Sequence, residues 1–233
     1  MTSHEKRGTR NGFFVTGTDT GVGKTLVACS LLRAFANRGL KGVGMKPVAS
    51  GADPRGDGLV HGDVEKLLAA GNVAAPRERV NPYCFEPPIA PHIAAAGAGM
   101  RIDLDRIEEC FNALAARADV VIVEGVGGFR VPLGPGVDMA QLASRLALPL
   151  VLVVGLRLGC LNHALLTAEA IAHRGLKLAG WVANQIDPRM TAAEENVRAL
   201  KMLISAPLLA QIAFTLTPDA AASATLFDTR MLG

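Results

Sequence analysis

Gly23-Lys24-Thr25 closes the stretch VTGTDTGVGKT, Val15 to Thr25. These residue types in this order fit one kind of chemistry. Glycines let backbone N–H groups wrap an anion, a lysine reaches terminal phosphates, and a hydroxyl meets a divalent cation. The common spacing puts the leading glycine at position 18, but Thr18 stands there and the glycine is Gly17. The alternative is a glycine-rich turn that merely opens a helix. A strand-like run before GVGKT and a helix-like run after it favour phosphate binding.

Thr25 alone would leave magnesium underliganded, because that ion takes oxygen ligands and usually one or two carboxylates. Glu124 is the best candidate. It ends an apolar run and precedes GVGG, Gly125 to Gly128; its bland role is a solvated acid at a strand end. Asp63 either caps the short helical pattern that follows it or serves the same metal, and spacing does not decide between them. Lys46 is a second lysine at a strand end, with Pro47 fixing the exit. It could stabilise charge on a transferring phosphoryl group or an acyl oxygen; otherwise it is a surface lysine. His92 and His163 have no acid or nucleophile at short spacing, so hydrogen-bonded structural histidines are expected. Trp181 alternates within a strand-like run and is expected in the core.

The elements that must position these residues are legible in outline. Gly12 to Gly17 reads as a strand and Lys24 to Arg38 as a helix, with Val27, Leu31 and Phe35 at spacing four and Gly39 as its stop. Val43 to Lys46 is a short strand, Pro47 to Leu59 a glycine-rich loop, and a short helix runs through Ala70. The prolines of VNPYCFEPPIAPHIAA, Val80 to Ala95, exclude regular structure through most of that segment. A helix is expected along Leu104, Ile107, Phe111 and Leu114, then strands at Val120–Val123 and Leu150–Val154. A helix at Asn162–Arg174, a strand at Leu178–Ala183, a helix at Ala192–Leu203 and a strand at Leu208–Ile212 follow. Strands alternating with helices, each strand a continuous apolar run, imply an α/β fold: a mostly parallel β-sheet with helices on both faces. Ligands then bind beyond the strands' carboxyl ends, at the loop from Thr16, Lys46, Glu124, Gly155 and Asn184. Residues 1–11 are expected as a flexible tail, and 12–233 as a single domain.

Composition bounds the rest. A chain of 233 residues with 50% hydrophobic and 19% charged residues can bury a sizeable core. Net charge +3 without a basic cluster gives no case for nucleic acid. The longest apolar run, Leu146 to Leu156, falls short of the roughly 20 residues a spanning helix needs, and the polar N-terminus has no apolar signal core. A soluble, cytoplasmic protein is expected, without a membrane. Cys29, Cys84, Cys110 and Cys160 form no CxxC and read as free thiols.

Several stretches together resemble the dethiobiotin synthetase family, within the P-loop NTPase superfamily: FVTGTDTGVGKT, KPVASG, VNPYCFEPPIAPH, VEGVGG, LGCLNHALLTAEAI and GWVAN, in that family's order from Phe14 to Asn184. KPVASG and the NPYxFxxPxxPH loop are the specific ones. The resemblance implies a ligase that joins CO₂ (or bicarbonate) to 7,8-diaminopelargonic acid with ATP and Mg²⁺, closing a ureido ring with no biotin cofactor. An amine captures CO₂ as a carbamate, ATP phosphorylates it, and the second amine closes the ring. By the same resemblance Lys24, Lys46 and Thr20 are catalytic, and Thr25, Asp63 and Glu124 ligate Mg²⁺. Thr20, Lys46, Ser50 and Asn162 hold the substrate. ATP is held by Gly21, Val22, Gly23, Lys24 and Thr25, by Asp63, Glu124, Gly125, Val126 and Gly127, and around the base by Asn184, Gln185, Ala213, Phe214 and Thr215. A homodimer is implied, its substrate pocket lying between subunits.

This chain departs from the family at two points. Gly21 stands where many members carry Glu, and Ile212-Ala213-Phe214 replaces an Ile-Pro-hydrophobic stretch beside the base. A partitioning-type switch ATPase is the main alternative, but Asp19 occupies the position of its signature lysine. A glutamine-dependent amide ligase would need a glutaminase domain for which 233 residues leave no room. A non-catalytic nucleotide-binding protein is the remaining reading.

Overall fold

The structure, a computed structural model, describes residues 11–56 and 58–232. The expected tail lies, but for Asn11, outside these residues. Along the chain the elements are β1 (Gly12–Gly17), α1 (Lys24–Asn37), β2 (Gly42–Met45), β3 (Val48–Ser50), β4 (Asp53–Arg55), β5 (Gly58–Val60), α2 (Gly62–Ala70) and α3 (Arg77–Val80). Next come β6 (Tyr83–Phe85), α4 (Pro91–Gly97), α5 (Leu104–Ala115), β7 (Val120–Glu124), β8 (Pro132–Gly134), β9 (Val137–Asp138) and α6 (Met139–Leu146). The chain continues through β10 (Leu150–Leu156), α7 (Cys160–His173), β11 (Leu178–Gln185), α8 (Ala193–Leu203), β12 (Leu208–Ile212) and α9 (Ala220–Ala224).

Six strands form one parallel sheet in the order β12-β11-β10-β1-β7-β2. Both faces are covered, which is why these strands are apolar without alternation. On β10, Leu152 and Val154 pack with Ala164, Val197 and Leu200 of α7 and α8. Val151 and Val153 face the other way, into a cluster with Val27, Leu31 and Phe35 of α1. On α5, Ile107, Phe111 and Leu114 are fully buried, each worth about 1.5–3 kcal/mol in area removed from water. Asp103 caps that helix by accepting from the Asp105 N–H at 2.9 Å. Parallel pairing brings every strand's carboxyl end to one edge. β1 lies centrally, between β10 and β7, so its loop sits in the crevice where the strand order reverses.

Several segments differ from expectation. The expected loop over Pro47–Leu59 contains β3, which pairs in parallel with β6, and β4 and β5, an antiparallel hairpin. The proline-rich stretch holds β6 and α4, because Pro91 opens α4, where a missing N–H costs nothing. α6 was not expected. Its signal is present, however: Asp138 and Gln141 form a capping box, each side chain accepting from the other's backbone N–H at 2.8 Å. Trp181 is fully buried as expected, and all four cysteines are free thiols. Among the described residues no helix is long and apolar enough to cross a membrane.

Candidate active site

The loop between β1 and α1 is built by close packing. A Cβ on Gly17 would stand 2.7 Å from Val22 Cγ2, so the glycine displaced from position 18 is needed where it is. Gly23 has φ +92°, and a Cβ there would stand 2.2 Å from Asn184 Nδ2. The Asn184 amide donates to the Val22 carbonyl at 2.9 Å, which ties the end of β11 to the loop. Lys24 folds back, its Nζ donating to the Asp19 carbonyl at 2.8 Å. Asp19 in turn pairs with Arg157 beyond β10.

The second lysine is not on the surface. Lys46 is 3% exposed, and Glu124 is 1% exposed. Lys46 Nζ lies 2.5 Å from Glu124 Oε1, 3.1 Å from Asp63 Oδ2 and 3.3 Å from the Gly125 carbonyl. The Thr25 hydroxyl donates to the same Glu124 oxygen at 2.8 Å. Burial alone would push the Lys46 ammonium down in pKa, but Glu124 and Asp63 more than offset it and hold it above its ordinary value. Burial would raise the Asp63 carboxyl, but the Lys46 charge holds it below its usual range. Lys24 has less compensation. Burial first, and the nearby Lys46 charge second, lower it to about 8.

The two readings of Asp63 separate here. The cap of α2 is His61, whose Nδ1 accepts from the Asp63 N–H at 3.2 Å. That frees the Asp63 carboxylate to reach Lys46. His61 was not singled out in the sequence, nor was Asn81, whose side chain donates to the Lys46 carbonyl at 2.6 Å. The His-x-Asp before a helix and the NPY triplet are the only local signals of these roles. His92 has its Nδ1 buried with no hydrogen-bond partner among the described residues, so the hydrogen-bonded role expected of it is not seen at that atom.

One cleft of about 1430 Å³ collects most of the expected residues. Thr20, Gly21, Gly23, Lys24, Thr25, Lys46, Ser50, Asp63, Glu124, Val126 and Gly127 line its centre. Asn184, Gln185, Ala213, Phe214 and Thr215 line one end, joined by Thr217, Pro218 and Asp219, which sequence reasoning passed over. Val22 is buried beneath the loop, and Gly125 contributes its carbonyl to Lys46. Asn162 is not brought to this cleft; it is exposed in the first turn of α7. The donor set fits a hard cation. Glu124 Oε2 is buried and has no hydrogen-bond partner among the described residues. With the Thr25 hydroxyl and the Asp63 carboxylate nearby, it offers the oxygen ligands magnesium requires.

A strand, a glycine-rich turn with Lys-Thr, and a helix, set at the reversal point of a parallel sheet, define a P-loop nucleotide-binding protein. The AAA domain family matches residues 11–218. The chain is similar to the ATP-dependent dethiobiotin synthetase BioD of Aromatoleum aromaticum, at 57% identity over 84% of this chain and 88% of that one. It is 51% identical to the ATP-dependent dethiobiotin synthetase BioD of Nitrosospira multiformis, over 97% and 98% of the two chains. The chain belongs to the dethiobiotin synthetase family, a family of ATP-dependent ligases. Among solved structures, the MinD cell division protein of Aquifex aeolicus superposes with a TM-score of 0.58 at 14% identity, over 95% of this chain and 97% of that one. That likeness is one of fold.

Proposed function

We propose that this protein closes the ureido ring of dethiobiotin from 7,8-diaminopelargonic acid, CO₂ and ATP, releasing ADP and phosphate. The observation that carries the reading is the convergence of Lys24, Lys46, Thr25, Asp63 and Glu124 beside Ser50 and Thr20 in one cleft. Simple hydrolysis needs only a positioned water, whereas this reaction must bring two anions together, a carbamate and the γ-phosphate. Fixed positive charge in a partly dry site offsets that repulsion.

One amine of the substrate attacks CO₂ and loses a proton, giving the carbamate. A carbamate oxygen attacks the γ-phosphorus and ADP leaves. The second amine then attacks the carbonyl carbon, and phosphate leaves as the ring closes. Lys24 holds the phosphates, and Lys46 stabilises the carbamate and the phosphoryl group in transfer. Thr20 and Ser50 hydrogen-bond the carbamate or its parent diamine. Thr25, Asp63 and Glu124 would hold magnesium, which supplies charge neutralisation at the phosphates. Asn184, Gln185 and Ala213–Thr215 receive the base. Asn162, exposed on α7, serves the substrate's carboxylate end in a homodimer whose pocket crosses the subunit boundary. The reading places the enzyme, as one domain, in solution in the cytoplasm.

Phosphate release from ATP tests it. Release should require both the diamine and CO₂ or bicarbonate. Equal release without the diamine would sink the ligase reading and favour a partitioning-type switch ATPase.

A further inference from the structure

Lys46 does more in this geometry than face a substrate. Its ammonium lies between Asp63 Oδ2 and Glu124 Oε1, the two acids that fit a metal, at 3.1 and 2.5 Å. Lys24 and Thr25 stand beside them in the same cleft. The two carboxylates and the two ammonium groups cancel in formal charge. A free divalent cation entering this largely buried group would lose hydration that magnesium gives up reluctantly. It would also meet an ammonium already paired to the same two carboxylates, with no excess negative charge to compensate. A nucleotide's phosphates bring that excess charge with them. Glu124 Oε2, buried and unpartnered among the described residues, then serves the metal while Oε1 keeps Lys46 and Thr25.

We propose that Lys46 is the built-in counter-ion of the metal site, so that the divalent cation enters only together with nucleotide. The lysine keeps the two acids from collecting stray metal and leaves the phosphates to complete the site. Its role is that of a positioning residue for the metal carboxylates, additional to any contact with substrate. The inference rests on the proposed function only for the choice of magnesium as the resident ion.

The test is manganese binding to the full chain, read from the loss of the free-ion electron paramagnetic resonance signal. Without nucleotide, wild type should show no saturable site; with a non-hydrolysable ATP analogue it should show one. Lys46→Met should acquire a nucleotide-independent site at least about tenfold tighter than anything wild type shows, because one excess negative charge is left on the two acids. Lys46→Arg should behave as wild type, and Lys46→Met with Glu124→Gln should lose the new site. Tight manganese binding by wild type without nucleotide would overturn the proposal. So would a folded Lys46→Met that gains none. If Lys46→Met does not fold by circular dichroism, the wild-type and Lys46→Arg arms decide. No activity is read, so failure of the ligase reading in the phosphate-release assay remains a separate result.

Discussion

The Asn81 side chain clamps the main chain at Lys46. Its Nδ2 donates to the Lys46 carbonyl at 2.6 Å and to the Tyr83 carbonyl at 3.0 Å, while the Lys46 N–H donates to the Val80 carbonyl at 2.8 Å. The NPY segment thus fixes where β2 ends and where its lysine begins. Asn81→Leu strands the buried Lys46 carbonyl and should cost about 1–3 kcal/mol, measured by urea unfolding. Because the clamp sets the Lys46 backbone and not the phosphate loop, turnover should fall by much more than nucleotide affinity.

Lys46→Ala should lose turnover by several orders of magnitude and still bind nucleotide, since the loop from Thr18 to Thr25 is held by Asn184 and Asp19 rather than by Lys46. Single-turnover kinetics beside equilibrium titration of ADP separates the two effects. Unchanged turnover would remove Lys46 from the mechanism.

Lys24 gives a pH dependence with a definite sign. Its pKa is lowered from 10.5 to about 8, by burial before all else. Above about pH 8 the free protein has lost this proton, and bound phosphate draws it back. Metal-free ADP affinity should therefore be flat below that value and fall above it, with proton uptake on binding measurable by calorimetry in two buffers. Stability moves the other way. Between about 8 and 10.5 the unfolded chain holds a proton that the folded chain lacks, so this group's penalty on folding is relieved as pH rises through that window. Lys24→Arg should abolish both trends.

Two loop glycines should respond unequally to alanine. Gly23 combines φ +92° with a Cβ position 2.2 Å from Asn184 Nδ2. Gly21 has φ +75° but nothing within 4 Å. Gly21→Ala should cost only the backbone term, about 1 kcal/mol. Gly23→Ala adds a collision that dislodges the amide tying β11 to the loop, and should cost about 2–4 kcal/mol and most nucleotide affinity. Thermal melts with and without ADP compare them.

The sheet was legible because its strands are buried on both faces and carry no other pattern. Glu124 and Lys46 were legible for a related reason: a charge ending an apolar run is a strand end, and parallel strands share one ligand edge. Asp63 was not, because a helix-opening acid is ambiguous until His61 is seen to take the cap. The hairpin β4–β5 and strand β3 were missed because each is three residues long, too short for any period to show. Asn81 was missed because an asparagine before proline looks like a turn former, and only the fold brings its amide to Lys46. Asp219 and its neighbours reach the cleft through α9, which packs against α1 from the far end of the chain.

Glu124→Gln tests the metal assignment from the acid's side. Glu124 Oε1 accepts from both Thr25 and Lys46, and Oε2 is the buried oxygen with no partner among the described residues. The amide keeps one oxygen for those donors but removes the charge and replaces the second oxygen with a donor, which cannot ligate a cation. The magnesium concentration needed for half-maximal turnover should rise about tenfold or more. Stability should drop by about 2–3 kcal/mol, because the buried Lys46 keeps only the partly exposed Asp63 as a counter-charge. Wild-type magnesium dependence in a folded Glu124→Gln would refute the ligand role. If stability falls while magnesium dependence is unchanged, Glu124 is the lysine's partner alone.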